Sequence, residues 1–397
     1  MKNNFSPWPF FTDEEANSIK NVLLSNKVNY WTGDECRQFE KEFAAWADSQ
    51  HAVSLANGTL ALDIALKALG IGTGDEVIVT SRSYIASVTS IINANAKPVF
   101  VDVDPESQNI TPQNISSAIN EKTKAIICVH LAGWPCEMDE IMSISNANDL
   151  FVIEDCAQAH GAKYKGTSVG SIGHIGCWSF CQDKIMSTGG EGGMVTTNDK
   201  SLWKKMWEYK DHGKSYEAVY EREHAEGFRW LHESFGTNWR MTEMQGAIGR
   251  IQLRRMPEWT KLRNRNADIL SEAFFQFVGE HGSLRIPQLK FDQECVHAFY
   301  KYYVFVKDEA LKECWDRDRI IAEINSEGVP CIHGSCSEIY LEKAFDNTNF
   351  RPDKRLPYAK ELGETSMVFL VHPTLSEKEM RNMAKIATSI IDMATES

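Results

Sequence analysis

The sequence predicts an α/β fold, with a large domain on a mainly parallel sheet and a smaller C-terminal α+β domain. Between about residues 50 and 200, short apolar runs alternate with helical periodicity, the pattern of βα units. The chain has 397 residues. A single hydrophobic core rarely accommodates a chain of this length, so two domains are expected. The pattern changes after Pro257, which predicts domains over 1–256 and 257–397.

In the large domain, the first part of the chain, up to about residue 30, need not pack with the sheet. Leucines and alanines at helical spacing predict a helix over Thr59–Leu69. Short apolar runs predict buried strands at Glu76–Thr80, Pro98–Val103, Ala125–Leu131 and Leu150–Glu154. Residues 200–260 are helical in pattern except for Lys214–Ser234, which is too irregular for a regular element. That stretch is interpreted as a long functional loop or an interface insertion.

In the small domain, a long helix is predicted over Thr260–Phe277, followed by a strand over Tyr300–Val306. A further helix is expected near Asp316–Glu327, and a last helix begins at Ser376.

Composition excludes several classes of function. Formal net charge is −13, which argues against nucleic acid or an anionic membrane surface as a general partner. The start of the chain lacks the apolar region of a secretory signal, and no run is long enough to span a membrane, so a cytoplasmic location is expected. The ten cysteines lack metal-ligand spacing, which predicts free thiols and no metal site.

Lys184 is the candidate catalytic residue. It lies four residues after a Ser-Phe pair and precedes the glycine-rich stretch Gly189–Gly193. A primary amine forms an imine with an aldehyde and is still displaced by an incoming amino acid. This setting predicts that Lys184 holds pyridoxal 5′-phosphate (PLP) as a Schiff base.

A PLP site also needs a phosphate cradle and a partner for the pyridine nitrogen. Gly58 and Thr59 open the first predicted helix, whose free N–H groups suit a dianion, although taken alone they are more simply explained by an ordinary helix cap. Asp155 follows a predicted strand, where its carboxylate can keep the ring nitrogen protonated. Gln158, three residues on, is placed to donate to the ring hydroxyl oxygen.

Two further residues complete the predicted site. Tyr84 follows the Glu76–Thr80 strand and offers a flat surface for stacking on the cofactor ring, with a buried core tyrosine as the alternative. Ser179 lies five residues before Lys184 and adds a hydroxyl for the phosphate.

Five motifs, in order and spacing, resemble those of the DegT-type sugar aminotransferases. These motifs are Asn57-Gly-Thr-Leu-Ala-Leu62, Glu154-Asp-Cys-Ala-Gln-Ala-His-Gly-Ala162, Ser179-Phe-Cys-Gln-Asp-Lys184, Gly189-Gly-Glu-Gly-Gly-Met194 and Gly236-Thr-Asn-Trp-Arg-Met-Thr-Glu-Met-Gln245. The resemblance implies a PLP-dependent transferase of fold type I, working as a homodimer with active sites at the subunit interface.

The resemblance also implies a role for each residue. It makes Lys184 the Schiff-base lysine and Asp155 the partner of the pyridine nitrogen, and Asn238 reaches across to the partner subunit's phosphate. The remaining cofactor contacts that it implies are Gly58, Thr59 and Ser179 to the phosphate, Tyr84 to the ring face and Gln158 to the ring hydroxyl.

Two stretches depart from the common family pattern, and both lie where a substrate is expected to touch. They are Cys181-Gln-Asp183, ahead of the lysine, and Lys214–Ser234, which looks longer than in many relatives. His160 and His212 are left unassigned, because a structural role is the more common one for such residues.

The function expected is transfer of an amino group from L-glutamate to a nucleotide-linked keto sugar, with pyridoxamine 5′-phosphate (PMP) formed between the two half-reactions. A 4-keto-6-deoxy sugar is the foremost substrate, with a 3-keto sugar or a keto-cyclitol as alternatives. Arg240, Lys210 and Lys214 are candidates for the diphosphate, against a default of exposed surface charges.

Two rival functions remain. PMP-dependent sugar dehydratases resemble this chain but carry histidine at the lysine position, so Lys184 argues against that function. A noncatalytic regulator or scaffold is disfavoured by the presence of both Lys184 and Asp155.

Overall fold

The computed structural model describes residues 5–288 and 295–395. The strands of the described residues are β1 His51–Leu55, β2 Glu76–Thr80, β3 Lys97–Val101, β4 Thr123–Val129, β5 Phe151–Asp155, β6 Lys163–Tyr164, β7 Thr167–Ser168, β8 Ile175–Ser179, β9 Gly193–Thr197, β10 Leu284–Arg285, β11 Tyr302–Val306, β12 Cys331–Ile332 and β13 Ser366–Phe369.

The α-helices of the same residues are α1 Asp13–Leu24, α2 Glu35–Trp46, α3 Gly58–Ala68, α4 Ala86–Asn93, α5 Pro112–Ala118, α6 Met138–Ala147, α7 Lys200–Lys210, α8 Tyr216–Tyr220, α9 Glu243–Phe274, α10 Arg317–Ser326, α11 Pro357–Thr365 and α12 Glu377–Ala394.

A seven-stranded sheet forms the centre of the large domain, in the order β1-β9-β8-β5-β4-β2-β3. Strands β3, β2, β4, β5 and β8 run parallel to one another, whereas β9 is antiparallel to both β8 and β1. The predicted α/β class with a mainly parallel sheet is therefore confirmed. The strand predicted at Glu76–Thr80 is β2, and the other three predicted strands match β3, β4 and β5 with small shifts at their ends.

Helices cover both faces of this sheet, which explains the continuous apolar runs. Every residue of β2 is buried, and all but one residue of β4 is buried. A strand that is covered on both faces has no solvent side, so its sequence does not alternate. Helices α3, α4 and α7 share one core with the sheet, and α5 and α6 contribute to another.

The small sheet is antiparallel, with the order β10-β11-β13-β12. Helices α10 and α12 and the end of α9 pack on it through one apolar core. The helices predicted near Asp316–Glu327 and from Ser376 are α10 and α12, which are capped by Asp316 and Ser376. This α+β arrangement agrees with the fold predicted for the C-terminal part of the chain.

Helix α9 differs from the prediction, because it runs without a break through Pro257. Proline removes one backbone hydrogen bond and usually ends or kinks a helix, which is why the helix was predicted to begin at Thr260. Met256 and Trp259, on either side of the proline, are both buried in the core and hold the helix there. The domain boundary at 256/257 stays a prediction, and it falls inside this helix.

The segment between α7 and α9 is mostly irregular, as predicted for Lys214–Ser234. Its one helix is the short α8, and a bridge from Lys214 to His232 closes the segment into a loop. Phe228, Trp230 and Phe235 in this loop are 79%, 81% and 99% exposed. In the described part of the chain, no helix is both long and apolar enough to cross a bilayer.

Candidate active site

A cavity of about 580 Å³ lies at the carboxyl ends of β2, β4, β5 and β8, and the N-terminus of α3 opens into it. Parallel sheets place ligands at this edge. Seven of the residues predicted to bind PLP line the cavity: Gly58, Thr59, Tyr84, Asp155, Gln158, Ser179 and Lys184. Residues that are far apart in the chain are therefore brought together as the sequence predicted.

The N-terminus of α3 forms one wall of the cavity. Asn57 caps the helix by accepting a hydrogen bond from the Leu60 N–H at 3.0 Å, so the cap predicted as an alternative is present. The first-turn N–H groups of Gly58 and Thr59 have no place in the helical ladder and suit an anion. A Cβ added at Gly58 would lie 2.5 Å from the Ser179 Cβ. Glycine thus lets the N-terminus of α3 approach Ser179 closely, which brings the Ser179 hydroxyl beside the first-turn N–H groups, a donor set that suits a phosphate.

Asp155 is the last residue of β5 and is buried. Its carboxylate accepts hydrogen bonds from the Ser87 hydroxyl at 2.7 Å and the Ala157 N–H at 3.2 Å. Burial raises the pKa of Asp155, while these two donors and the charge of Lys184 act in the opposite direction. A carboxylate held in such a place is stabilised by a cationic partner, and a protonated ring nitrogen has the right charge.

Gln158 and Tyr84 occupy the other walls. The Gln158 side-chain oxygen accepts a hydrogen bond from the Ala132 N–H at 2.9 Å. This bond leaves the side-chain NH₂ as the group that Gln158 presents to the cavity, and its donor role toward the cofactor stays a prediction. Tyr84 is 68% exposed, so the alternative of a buried core tyrosine is wrong and its ring is free to stack.

Both the backbone N–H and the backbone carbonyl of Lys184 form hydrogen bonds. Its N–H donates to the Cys181 carbonyl at 3.0 Å, and its carbonyl accepts a hydrogen bond from the Trp8 indole at 2.8 Å. Trp8 also stacks on His372, with ring centroids 5.8 Å apart. Sequence reasoning missed Trp8, because nothing in the sequence places residue 8 beside residue 184.

The N-terminal segment that carries Trp8 is held by α12 and by the loop before it. The backbone N–H and hydroxyl of Ser6 both donate to Glu379, at 2.7 and 2.8 Å. Thr374 donates its hydroxyl to the Pro7 carbonyl at 2.8 Å. The backbone of Lys184 is therefore supported from α12 and the loop before it, through residues 6–8.

The remaining predicted residues lie outside the lining of this cavity. Lys210 is fully buried, with its amine 3.1 Å from Glu40, and the amine of Lys214 lies 3.2 Å from Asp211. Arg240 also pairs with Asp211, at 2.8 Å. Within this chain, all three cations that were predicted for the diphosphate are engaged by carboxylates.

Asn238 forms a backbone bridge with Asp211, close to these ion pairs, and does not line the cavity of its own chain. Its role, like that of every predicted site residue, stays a prediction.

Neither histidine that was left unassigned lines the cavity. His160 is buried beside the rings of Trp178 and Phe180, and burial, with the charges of Lys184 and Arg263, lowers its pKa to about 3. It is therefore neutral at ordinary pH. His212 adopts a left-handed backbone, with φ of 61°, in the turn after α7.

Among the described residues, His130, Glu154 and Cys156 form one group with metal-ligand chemistry. Both carboxylate oxygens of Glu154 are occupied by hydrogen bonds. They accept from the His130 ring at 2.9 Å and from the N–H groups of Gly170, Ile172 and Gly173. The His130 ring accepts in turn from the Cys136 N–H at 3.0 Å. This network joins β5 to the loop ahead of β8.

Comparison with known proteins identifies the family of the chain. The model of the DegT/DnrJ/EryC1/StrS aminotransferase family matches residues 10–387. GDP-perosamine synthase of Escherichia coli O157:H7 is 41% identical over 277 residues, which are 69% of this chain and 72% of that protein. GDP-perosamine synthase of Caulobacter vibrioides is 44% identical over 292 residues, which are 74% of each chain.

A solved structure extends this similarity to the fold. The X-ray structure of an aminotransferase from Psychrobacter cryohalolentis has 62% sequence identity and a TM-score of 0.97, and the match covers 98% of this chain and 100% of that one. These findings confirm the resemblance predicted from the motifs, the enzyme class of aminotransferase and the cofactor PLP. The chain belongs to the DegT/DnrJ/EryC1/StrS aminotransferase family.

Proposed function

We propose that this enzyme transfers the amino group of L-glutamate to a nucleotide-linked 4-keto-6-deoxy sugar, and so supplies an amino sugar for a surface polysaccharide. One observation carries the chemistry: Lys184, Asp155 and the N-terminus of α3 meet in a single cavity. The similarity to two GDP-perosamine synthases supports the substrate class, because perosamine is made from a 4-keto-6-deoxy sugar.

Each residue of the cavity has its own role in the proposed amino transfer. When bound, PLP withdraws electrons from the carbon that carries the transferred amino group. The amine of Lys184 would hold the cofactor and, once glutamate has displaced it, would take the proton from the substrate carbon and later return it. Asp155 would keep the ring nitrogen protonated, and Gly58, Thr59 and Ser179 would hold the phosphate. The same residues would serve the keto sugar in the second half-reaction.

An absorption spectrum of the purified enzyme with PLP tests this proposal. We expect L-glutamate to remove the visible band of the lysine-bound cofactor, and one keto sugar nucleotide to restore it. The panel contains 4-keto-6-deoxy sugars on guanosine, uridine, thymidine and cytidine carriers, with a 3-keto sugar and a keto-cyclitol for comparison. Restoration by the 3-keto sugar or the keto-cyclitol alone would replace the proposed substrate class, and no visible band at all would refute the role of Lys184.

We also propose that the enzyme is a cytoplasmic homodimer with shared active sites. Two observations support the shared site. The loop between α7 and α9 exposes Phe228, Trp230 and Phe235, and an apolar surface of this kind is typical of protein interfaces. Asn238 lies in the same loop, is exposed and does not line the cavity of its own chain, so its side-chain NH₂ is available to a partner's cavity.

Replacement of Asn238 tests the shared site. We expect Asn238→Ala to weaken PLP binding by about 1 to 3 kcal/mol, the cost of losing a hydrogen bond to a charged group. The measurement is PLP release on dialysis, followed by its absorbance, with sedimentation velocity to show that the dimer persists. Asn382→Ala on α12, remote from the cavity, is the matched control. Unchanged PLP retention in Asn238→Ala would contradict the shared geometry.

A further inference from the structure

The residue before the cofactor lysine, Asp183, lines the same cavity and has no role in the scheme above. Its carboxylate lies 3.7 Å from the amine of Lys184. The same carboxylate accepts a hydrogen bond from the hydroxyl of Tyr300. The amine of Lys184 also lies over the Tyr300 ring, 5.3 Å from its centroid. A carboxylate and an aromatic face therefore surround the amine, and both favour a positive charge on it.

The groups that face Asp183 come from two segments: Cys181 and Lys184 from its own loop, and Tyr300 and Lys301 from the stretch ahead of β11. Burial alone would raise the pKa of Asp183, but Lys184, the Tyr300 hydroxyl and Lys301 outweigh it and lower that pKa. Burial, with the charge of Asp183, raises the pKa of Tyr300. Asp183 is therefore ionised, and Tyr300 keeps the proton that it donates.

Tyr300 is held in place by its burial and by hydrogen bonds of its backbone. It is 7% exposed, and its backbone N–H donates to the Ala132 carbonyl at 2.9 Å. Its backbone carbonyl also faces the buried guanidinium of Arg263 on α9, at 3.4 Å. Tyr300 thus holds the Asp183 carboxylate from a rigid position, whereas Asp183 itself lies in a loop.

We propose that Asp183, held by Tyr300, is the positioning residue for the amine of Lys184 while that amine is detached from the cofactor. The inference rests on the proposed function, since it takes Lys184 as the lysine that binds PLP. The detached amine accepts a proton from the substrate carbon and becomes an ammonium ion. The Asp183 carboxylate then stabilises this ion and holds it at the cavity wall until the proton passes to the C4′ carbon of the cofactor.

Asp183→Asn keeps the shape of the side chain and removes its charge, and the holoenzyme without substrate gives the first readout. The lysine nitrogen is positively charged in the visible-absorbing form, and the charge is lost as pH rises. Lys184 also faces Asp155, His160 and Lys301, which the variant leaves in place. Because Asp183 favours the charge, we expect the variant to lower the pH midpoint of the visible band by about one unit or more.

The second readout is the rate at which L-glutamate removes the visible band in a single turnover. We expect Asp183→Asn to slow this step by about 10- to 100-fold, because the amine is no longer held in place, with a smaller change in the glutamate concentration for half-maximal rate. Asp183→Glu should recover part of the rate. Asp139→Asn, which removes an exposed carboxylate paired with Lys165, is the control for net charge.

A double-mutant cycle separates positioning from a general structural effect. Tyr300→Phe alone should slow the step, since Asp183 loses its anchor, and Asp183→Asn/Tyr300→Phe should match Asp183→Asn within about twofold. An unshifted midpoint and an unchanged rate in Asp183→Asn would overturn the inference. If Asp183→Asn does not retain PLP, Tyr300→Phe decides alone, and a wild-type rate there overturns it. Failure of the proposed function differs, because the wild-type enzyme itself would not respond to glutamate.

Discussion

Lys184→Ala is expected to abolish turnover and to leave a folded protein. The variant loses both the covalent hold on the cofactor and the group that moves the proton, and proton transfer alone contributes about 10²- to 10⁴-fold to a rate. The phosphate cradle at α3 and the Asp155 carboxylate remain, so PLP should still bind without the shift in absorbance that attachment to lysine causes. The measurement is amino transfer from L-glutamate, together with the absorption spectrum and the circular dichroism of the variant.

Lys165→Ala is the control, since that lysine is exposed and contacts Asp139 and the Tyr164 ring, away from the cavity. It should behave as the wild-type enzyme does. Amino transfer retained by Lys184→Ala would refute the central assignment of the site.

Asp155→Asn is expected to reduce the rate of the glutamate half-reaction by about 10²-fold or more, as for loss of one preorganised electrostatic contact. Ser87 and Ala157 donate to different oxygens of Asp155, so asparagine keeps an oxygen for one of them and carries no charge. The ring nitrogen then loses the partner that keeps it protonated. The measurement is the single-turnover loss of the visible band, with PLP affinity determined in parallel. A half-reaction as fast as that of the wild-type enzyme would remove Asp155 from the chemistry.

Asp63→Asn is the matched control for this variant. Burial raises the pKa of Asp63 as it does that of Asp155, but Asp63 lines a different cavity, beside Lys67 and Tyr209. We expect its half-reaction rate to equal that of the wild-type enzyme. A loss in both variants would indicate a general effect of removing a buried carboxyl.

Strands β2 to β5 were predictable because they are apolar on both faces, whereas β1 and β8 were not predicted. The run Glu76–Thr80 was predicted as a buried strand, and the structure bounds it at the same residues. The antiparallel strand β9 was not predicted, because the preceding glycines give no signal of strand direction. Helix α9 was predicted too short, since the effect of Pro257 depends on the core that holds it.

The site was predictable where its chemistry is local and unpredictable where it is assembled by the fold. Gly58 starts a helix and Asp155 follows a strand that the sequence predicts, so their meeting at one sheet edge followed from topology. Lys184 lies in the loop after β8 and was identified from the motif around it. Tyr300 reaches Asp183 across 117 positions of sequence, and no periodicity reports such a contact. The same holds for Lys210, whose partner Glu40 is 170 positions away.

The support of Lys184 by residues 6–8 has a consequence for the order of events during synthesis. Residues 6–8 are secured by His372, Thr374 and Glu379, which follow them by more than 360 positions in the sequence. A nascent chain that already contains the whole large sheet therefore still lacks the clamp on the loop that carries the lysine. A chain that ends before residue 372 therefore leaves residues 6–8, and with them the backbone carbonyl of Lys184, without this support.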